Sequence, residues 1–496
     1  MGTGISKFMD HGGRIWVRLL QRQWSDLVAA WGSGLPRPGV QPQRDRLRNW
    51  RRRPVCTTPS PLKPGFGNRI TQRYGLRLGC RQEGTRLASA RVGLPIPMDI
   101  PLLYGRDGIT LTLPPDARPT LIAKPPMPIL DDPEAILRHA LDDSDLSTLA
   151  AGAKSACILV CDITRPVPNA LFLRPIIERL ISSGISSSRI TVLVATGLHR
   201  PNLNEELAEV IGDPWVMDTV TVANHFARDD DAHVEVGQTK RGTVIKLDRR
   251  FVDADIRIAT GLVEPHLMAG YSGGRKVITP GIAHAETITT LHNHQFMADP
   301  RAVNCNLDGN PLHEELLEVI GMIGGALALN TVITDQRQLA FLNFGEIVGT
   351  HLEAVEFMRP FAEIKTGRRF KTVVTSSAGY PLDKTFYQTI KGIVGPIGIL
   401  EPGGDLIVAS HCEEGLGSAE YVDAQRRMLN LGRDGFLAST AHKTHASIDE
   451  WQTMMLTRPP ESARVTLYSD GLDAEQQGLT NVHITASVIY SLNILP

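Results

Sequence analysis

The sequence predicts an α/β fold: two α/β domains with a cleft between them, preceded by a basic N-terminal extension. Two observations lead to this prediction. From residue 109 onward, short apolar runs typical of buried strands alternate with segments whose apolar residues recur at helical spacing. The charge is also unevenly divided, because residues 1–98 hold 18 Lys and Arg against four acidic residues, whereas the whole chain has a net charge of −1.

The composition excludes two classes of protein. Six scattered cysteines in 496 residues are too few for a disulfide-stabilised secreted scaffold. No uninterrupted apolar run approaches the ~18 residues that a membrane-spanning helix requires. We therefore expect a cytoplasmic protein that does not associate with membranes.

The N-terminal extension, residues 1–97, is rich in Arg, Pro and Gly and shows no sustained helical or alternating period. Such a segment buries too little apolar surface to fold alone, so we predict that it is disordered. Six arginines lie between residues 44 and 53, and four of the six tryptophans lie in the extension. Targeting or nucleic-acid binding are alternatives. We favour an unstructured extension from an upstream start, with Met98 opening the folded part, and expect no nucleic-acid partner.

The first elements of the folded part are a strand and a helix. Ile109–Leu113 alternates apolar and polar residues and is followed by Pro114-Pro115, which predicts a strand ending in a turn. Residues 131–149 show helical spacing with acidic residues near the start, which predicts one helix.

A βαβ unit follows. Ala156–Cys161 is a short apolar run that predicts a buried strand, residues 170–183 have a helical period that ends before Gly184, and Ile190–Ala195 predicts the next strand. The loops after these two strands contain Asp162, Arg165 and His199. In parallel sheets, ligands bind beside the carboxyl ends of the strands, so these loops are candidates for a binding site.

The α/β pattern continues with weaker signals. We predict a strand at 254–259, a helix at 310–322 and a further apolar stretch around Val332 and Ile333. A second set comprises a strand from Lys371, a helix near 384–393 and a strand at 405–410. With a boundary between 355 and 370, the predicted domains are 98–362, which carries the cofactor and catalytic residues, and 363–496.

The segment 261–276 is the densest in glycine and ends in Gly273-Gly274-Arg275-Lys276. Such glycines let the backbone approach a ligand closely. A phosphate-binding P-loop would need Ser or Thr after Lys276, where Val277 stands. Lys276 is either a solvated surface charge or a pocket lysine that serves as a nucleophile or covalent anchor.

Seven of the 15 histidines lie between His199 and His294. His292-Asn-His294 would place both imidazoles on one face of a strand, which suits either a metal site or a structural pair. Asp162 and Arg165 are suited to orienting a histidine and binding a carboxylate, or else form a local ion pair. The role of His284 is open.

Seven short blocks, in this order along the chain, are similar to the nickel-dependent lactate racemase family. They lie at residues 104–108, 162–168, 195–200, 264–276, 280–283, 309–314 and 387–392. Each block is a weak motif alone, but their shared order is specific. The resemblance extends from about residue 98 to near the C terminus and leaves the extension out.

The resemblance implies a nickel-pincer nucleotide, a sulfur-bearing pyridinium mononucleotide, joined covalently to Lys276. It implies that His292 binds the nickel and that His199 and His266 act as acid and base on opposite faces of the substrate. Asp162, Arg165, Gly273 and Gly274 would support the cofactor site. The residues expected to contact the substrate are Arg165, Tyr387, Gln388 and Lys391.

The implied activity is racemisation or epimerisation of a 2-hydroxy acid, lactate or a related one, by hydride transfer through a transient 2-keto acid. Two imidazoles with pKa values near 7 suit the reversible proton transfer. The expected partners are a small 2-hydroxy acid and the proteins that make the cofactor. The alternatives are a zinc-type metallohydrolase that uses His292 and His294, or a non-catalytic relative.

Overall fold

The computed structural model describes residues 7–10, 14–17, 98–114 and 116–487. The strands, in chain order, are β1 Lys7–Asp10, β2 Arg14–Val17, β3 Met98–Leu102, β4 Ile109–Leu113, β5 Thr120–Leu121, β6 Ala156–Cys161, β7 Ile190–Ala195, β8 Thr221–Asn224, β9 His233–Gln238, β10 Val244–Asp248, β11 Ile256–Leu262, β12 Pro265–His266, β13 Gly270–Tyr271, β14 Leu327–Ile333, β15 Leu339–Glu346, β16 Phe370–Ser376, β17 Leu400–Ala409, β18 Arg464–Tyr468 and β19 His483–Thr485.

The α-helices connect these strands and pack on the sheets. They are Pro133–Asp142, Leu146–Ala150, Asn169–Ser182, Glu205–Ile211, Pro214–Thr219, Arg249–Val252, Arg275–Ile278, Ala285–Leu291, His294–Met297, Pro311–Met322, Ile347–Ala362, Phe386–Val394, Ala419–Ala441, Glu450–Leu456 and Ala474–Gly478. None of the helices in the described part of the chain is both long enough and apolar enough to cross a bilayer.

The predicted disorder of the extension falls almost entirely on residues outside the described ranges. Within it the structure describes two short strands, β1 and β2. β1 is antiparallel to both β2 and β5, and β2 is parallel to β5.

The first large sheet has six strands in the order β15-β14-β11-β6-β7-β8. All neighbours are parallel except the edge strand β15, which is antiparallel to β14. The chain builds outward from β6 through β7 to β8 and then returns to the other side of β6 as β11. This reversal puts a crevice at the carboxyl ends of β6 and β11, where open α/β sheets bind ligands.

Sequence and structure agree well in this sheet. β6 and β7 have the predicted bounds, because β6 is apolar throughout and β7 is apolar except for Thr191. β11 begins two residues later than predicted and continues through Gly261, which pairs with Asn330 of β14. A Cβ atom at Gly261 would lie 2.7 Å from Val277, so the glycine in this strand serves close packing.

The helix predicted over 131–149 is two helices, Pro133–Asp142 and Leu146–Ala150. The break contains Asp142, Asp143 and Asp145, and negative charges at a helix C terminus oppose the helix dipole. The Ser144 hydroxyl donates a hydrogen bond of 2.7 Å to the Leu141 carbonyl, which ends the first helix.

The second large sheet has four parallel strands in the order β16-β17-β18-β19. Its core includes the hairpin β3–β4, whose Ile100 and Leu102 are buried in one apolar cluster with Phe370 and Val373 of β16. The strand predicted from Lys371 and the helix predicted at 384–393 are present as β16 and Phe386–Val394. The division into domains at residue 362 stays a prediction.

Candidate active site

A cavity of about 490 Å³ lies at the strand-order reversal of the first sheet and is closed on its other side by helix ends that follow β16 and β17. All four predicted catalytic, anchoring and metal-binding residues line this cavity: His199, His266, Lys276 and His292. The other lining residues that the sequence predicted are Asp162, Arg165, Gly273, Tyr387, Gln388 and Lys391. Gly274 is outside the lining and acts on the loop conformation instead.

Asp162 follows β6 and His199 follows β7, so neighbouring parallel strands bring them together. Oδ1 of Asp162 accepts a hydrogen bond from the Thr164 amide, at 3.1 Å, which forms a tight turn. Oδ2 lies 2.6 Å from Nδ1 of His199. The carboxylate fixes the imidazole tautomer with the proton on Nδ1, so Nε2 carries the lone pair that a general base needs.

Arg165 also lies in the loop after β6, but its side chain extends toward β11, the neighbour of β6 on the side opposite β7. Its guanidinium forms a short hydrogen-bonded ion pair with Glu264, which follows β11. Both side chains are buried. Burial lowers the pKa of Arg165, and the charge of Glu264 opposes this without cancelling it. An arginine starts from so high a pKa that the guanidinium remains cationic in the wall of the cavity.

His266 lies in the short strand β12, two residues after Glu264. The backbone amides of Met268 and Ala269 donate to its Nδ1 at 3.4 and 3.2 Å, which assigns the proton of the neutral ring to Nε2. Burial lowers the pKa of His266 well below 6.5, and the charges of Lys276, Arg165 and Lys391 lower it further. The imidazole is therefore neutral at pH 7.

His292 caps the C terminus of the helix Ala285–Leu291, and its Nδ1 donates to the Ile288 carbonyl at 2.7 Å. Burial lowers the pKa of His292 to about 4, with the Ile288 carbonyl acting against this and the charge of Lys276 reinforcing it. A neutral imidazole whose Nδ1 is bonded to a backbone carbonyl presents its Nε2 lone pair, as metal-binding histidines do.

The expectation that His292 and His294 lie on one face of a strand is wrong. His292 ends one helix and His294 begins the next, because Asn293 caps the helix His294–Met297. Nδ1 of His294 lies 2.9 Å from the Thr440 hydroxyl, and His294 does not line the cavity. The structure therefore separates the pair on which the zinc hydrolase hypothesis depended.

Lys276 lies in the short helix Arg275–Ile278, directly after a loop in which Gly273 and Gly274 leave no space for a larger residue. Gly273 has φ +77°, and a Cβ atom there would lie 2.6 Å from Val263. Gly274 has φ +48°, and its Cβ would lie 2.8 Å from the Cβ of His351. The loop thus packs tightly on the end of β11 and directs Lys276 into the cavity, where its charge acts on His266 and His292.

The second half of the chain contributes the helix Phe386–Val394, whose first turn faces the cavity, and further lining residues at the start of the helix Glu450–Leu456. Thr385 caps this helix. Tyr387, Gln388 and Lys391 follow at positions that share one side of the helix. The Lys391 ammonium donates a hydrogen bond of 2.6 Å to the Gln388 side-chain oxygen.

Several lining residues were not singled out from the sequence, among them Trp451 and Asp449, and Cys161 was predicted to be a core residue. Trp451 packs its indole 4.8 Å from the His292 ring. Asp449, with φ +60°, accepts a 2.6 Å hydrogen bond from the Ser418 hydroxyl. Cys161 ends β6, and burial raises its pKa to about 11. No local motif marks the first two, because each contact joins segments far apart in sequence.

The histidine of open role, His284, is outside the cavity lining. It is buried, caps the helix Ala285–Leu291 through Nδ1, and places Nε2 3.0 Å from Asp230. Its ring also packs edge-on against His233. The contacts indicate a structural residue.

The side chains of the cavity fit an organic group that carries its own metal ligands. Among the described residues, no group of three or more His, Cys, Asp or Glu side chains is placed to hold a metal ion. His292 nevertheless has the chemistry of a metal ligand, and Lys276 offers an amine for covalent attachment. The cavity volume is in the range of cofactor sites.

Comparison with known proteins agrees with this geometry. The model of the lactate racemase N-terminal domain matches residues 104–304, and that of the lactate racemase C-terminal domain matches residues 366–492. A lactate racemase from Thermoanaerobacterium thermosaccharolyticum is 30% identical over 356 residues, 69% of this chain and 80% of the relative. One from Lactiplantibacillus plantarum is 28% identical over 357 residues, 71% and 82% of the two chains.

Solved structures show the same likeness. The lactate racemase apoprotein from Thermoanaerobacterium thermosaccharolyticum superposes with a TM-score of 0.71 at 26% identity, over 80% of this chain and 94% of that one. A protein from Thermotoga maritima shares the fold, with a TM-score of 0.53 at 18% identity over 71% of this chain and 91% of that one.

Proposed function

The chain belongs to the lactate racemase family, and from this premise we propose that it interconverts the enantiomers or epimers of a 2-hydroxy acid, lactate or a related one. We further propose that it works with a nickel-pincer nucleotide attached to Lys276. The observation that supports this most strongly is the meeting of His199, His266, Lys276 and His292 in the lining of one cavity.

The residues would hold the cofactor from three sides. Lys276 would form the covalent link, His292 would bind the nickel through Nε2, and Gly273 would let the backbone approach the group. When bound, this group supplies a hydride acceptor and donor for the C2 carbon of the substrate. The nickel would need only one protein ligand, because the group would supply the remaining ones.

The proton transfers would fall to the two imidazoles. Nε2 of His199 would take the hydroxyl proton of one enantiomer, a role supported by the contact between its Nδ1 and Asp162. For His266 to serve the other enantiomer its ring proton must move from Nε2, and the substrate carboxylate would be held between the two imidazoles by Arg165 and Lys391. Holding the carboxylate in place would retain the 2-keto acid until its other face is reduced.

A panel of single enantiomers of 2-hydroxy acids tests the activity. Lactate, malate, phenyllactate and sugar acids are incubated with protein co-expressed with the cofactor-making proteins, and the products are separated by chiral chromatography. We expect each accepted acid to approach the same mixture from either enantiomer, and Lys276→Ala to abolish the reaction. Absence of inversion for every acid, from nickel-loaded protein, would contradict the proposal.

A further inference from the structure

The strand order of the first sheet places two side-chain pairs around the β6 loop. Asp162 and Arg165 lie in this loop; the first bonds His199 after β7, and the second bonds Glu264 after β11. The first pair serves the acid–base histidine. In the second pair, the carboxylate of Glu264 contacts Arg165, the residue proposed to bind the substrate carboxylate, as Asp162 contacts His199 in the first pair.

Glu264 lies behind Arg165 as seen from the cavity, because Arg165 lines the cavity and Glu264 does not. The exposed fractions of the two side chains are 5% for Arg165 and 11% for Glu264. A guanidinium with so little contact with water adopts the orientation that its protein hydrogen bonds dictate.

Glu264 is itself rigidly mounted. The Ser272 amide donates to the Glu264 carbonyl at 2.9 Å, and the Glu264 amide donates to the Ser272 hydroxyl at 3.1 Å. The same hydroxyl donates to the Leu262 carbonyl at 2.7 Å. Ser272 directly precedes Gly273, so these bonds tie Glu264 to the loop that carries Lys276.

We propose that Glu264 is a positioning residue that holds the Arg165 guanidinium in the orientation that binds the substrate carboxylate, in register with the Lys276 loop. This inference rests on the proposed function, which assigns Arg165 to the carboxylate. Glu264 itself does not touch the reacting atoms.

The test uses cofactor-loaded protein and three variants. Glu264→Leu removes the hydrogen-bond acceptor, whereas Glu264→Gln retains an acceptor oxygen at a similar position. Asp405→Leu is the matched control: the Asp405 side chain is 10% exposed and bonds Nε of Arg464 at 2.7 Å, outside the cavity. Thermal unfolding verifies that each variant is folded, and Glu264→Asp replaces Glu264→Leu if the latter is not.

An interaction that only helps to bind the substrate carboxylate stabilises the bound substrate and the transition state equally. Its loss therefore changes KM more than kcat. We expect Glu264→Leu to raise KM for both enantiomers roughly tenfold or more, and Glu264→Gln to stay near the wild-type KM. Glu264→Asp, which withdraws the carboxylate, should give an intermediate KM. An unchanged KM in Glu264→Leu, or an equal rise in Asp405→Leu, would overturn the proposal.

A second measurement does not depend on turnover. Oxalate binding to the cofactor-free chain is measured by calorimetry, and we expect Glu264→Leu to weaken it roughly tenfold while Asp405→Leu leaves it unchanged. If wild type binds oxalate in this Glu264-dependent manner yet inverts no 2-hydroxy acid, the racemase proposal fails and this one stands. Equal oxalate affinity in wild type and Glu264→Leu, or no oxalate binding at all, would refute the positioning role of Glu264.

Discussion

The carboxylate of Asp162 lies 2.6 Å from Nδ1 of His199, across the carboxyl ends of two neighbouring parallel strands. The sheet therefore brings together an acidic side chain and an imidazole that are 37 residues apart in sequence. Glu264 follows β11 at the same edge of the sheet, and His266 follows in β12.

Replacing Asp162 by Asn should invert the tautomer of His199. The Asn amide can donate to Nδ1, which would move the ring proton to Nε2 and remove the lone pair required of the base. We expect kcat to fall by about 10²- to 10⁴-fold with the fold intact. Initial rates from both enantiomers measure this, with the exposed residue Asp107→Asn as the control. Wild-type kcat in Asp162→Asn would show that His199 needs no orienting acid.

Trp451 joins the two halves of the site through its ring contact with His292. Removing the indole in Trp451→Ala should let the His292 ring move, and supporting residues of this kind change metal affinity by about 10- to 100-fold. Trp451→Phe keeps an aromatic ring and should retain most of the nickel. The ratio of nickel to protein after dialysis measures the effect. Full nickel retention in Trp451→Ala would argue against a role for this contact.

Gly273→Ala tests the fit of the Lys276 loop. Both Gly273 and Gly367 have positive φ, at +77° and +71°, but only a Cβ on Gly273 meets other atoms. Gly367→Ala should therefore cost about 1 kcal/mol of backbone strain. Gly273→Ala adds steric overlap of ~1–3 kcal/mol and should also lower cofactor attachment. Denaturant titrations of both variants measure this difference, and equal losses of stability would contradict the packing argument.

The pKa of the Asp248 carboxyl group predicts how the stability of the fold depends on pH. Burial raises its pKa, but hydrogen bonds from Arg250 and His225 more than compensate and hold the pKa well below the ordinary 3.8. A depressed carboxyl pKa stabilises the fold above the unfolded-state pKa, and the contribution is lost as the pH falls below about 4 toward the folded-state pKa.

Asp248→Asn should therefore lower the unfolding free energy at pH 7 by roughly 1–3 kcal/mol. It should also weaken the pH dependence in the acid range, because the titrating group is gone. Unfolding midpoints of wild type and variant from pH 7 to pH 3 measure both effects. Parallel stability curves, with the same difference at pH 3 as at pH 7, would contradict the assignment.

Local sequence patterns were sufficient for elements whose determinants are local. β6 is an uninterrupted apolar run, β7 is interrupted only by Thr191, and the bounds of both strands were predicted. The helix over 131–149 was predicted too long, because the acidic break after Leu141 outweighs the apolar period. The strand assigned to His292 and His294 was wrong, because capping by Asn293 is a stronger signal than the alternation of two histidines.

The site could be predicted only in part, because local sequence patterns mark some of its residues and not others. Residues inside motifs, such as Lys276 and His199, could be singled out, and the structure brings them to one cavity. Trp451 and Asp449 could not, since their contacts join distant segments. Glu264 lies within a motif, but its pairing with Arg165 depends on the return of the chain from β8 to β11, which no local pattern encodes.

The proposed function depends on a nickel-containing group attached to Lys276. Peptide mapping by mass spectrometry, on protein co-expressed with the cofactor-making proteins, measures this directly together with the nickel content. We expect a mass increase confined to the peptide containing Lys276, accompanied by bound nickel, and loss of both in Lys276→Ala. An unmodified Lys276 with no bound nickel under these conditions would contradict the account.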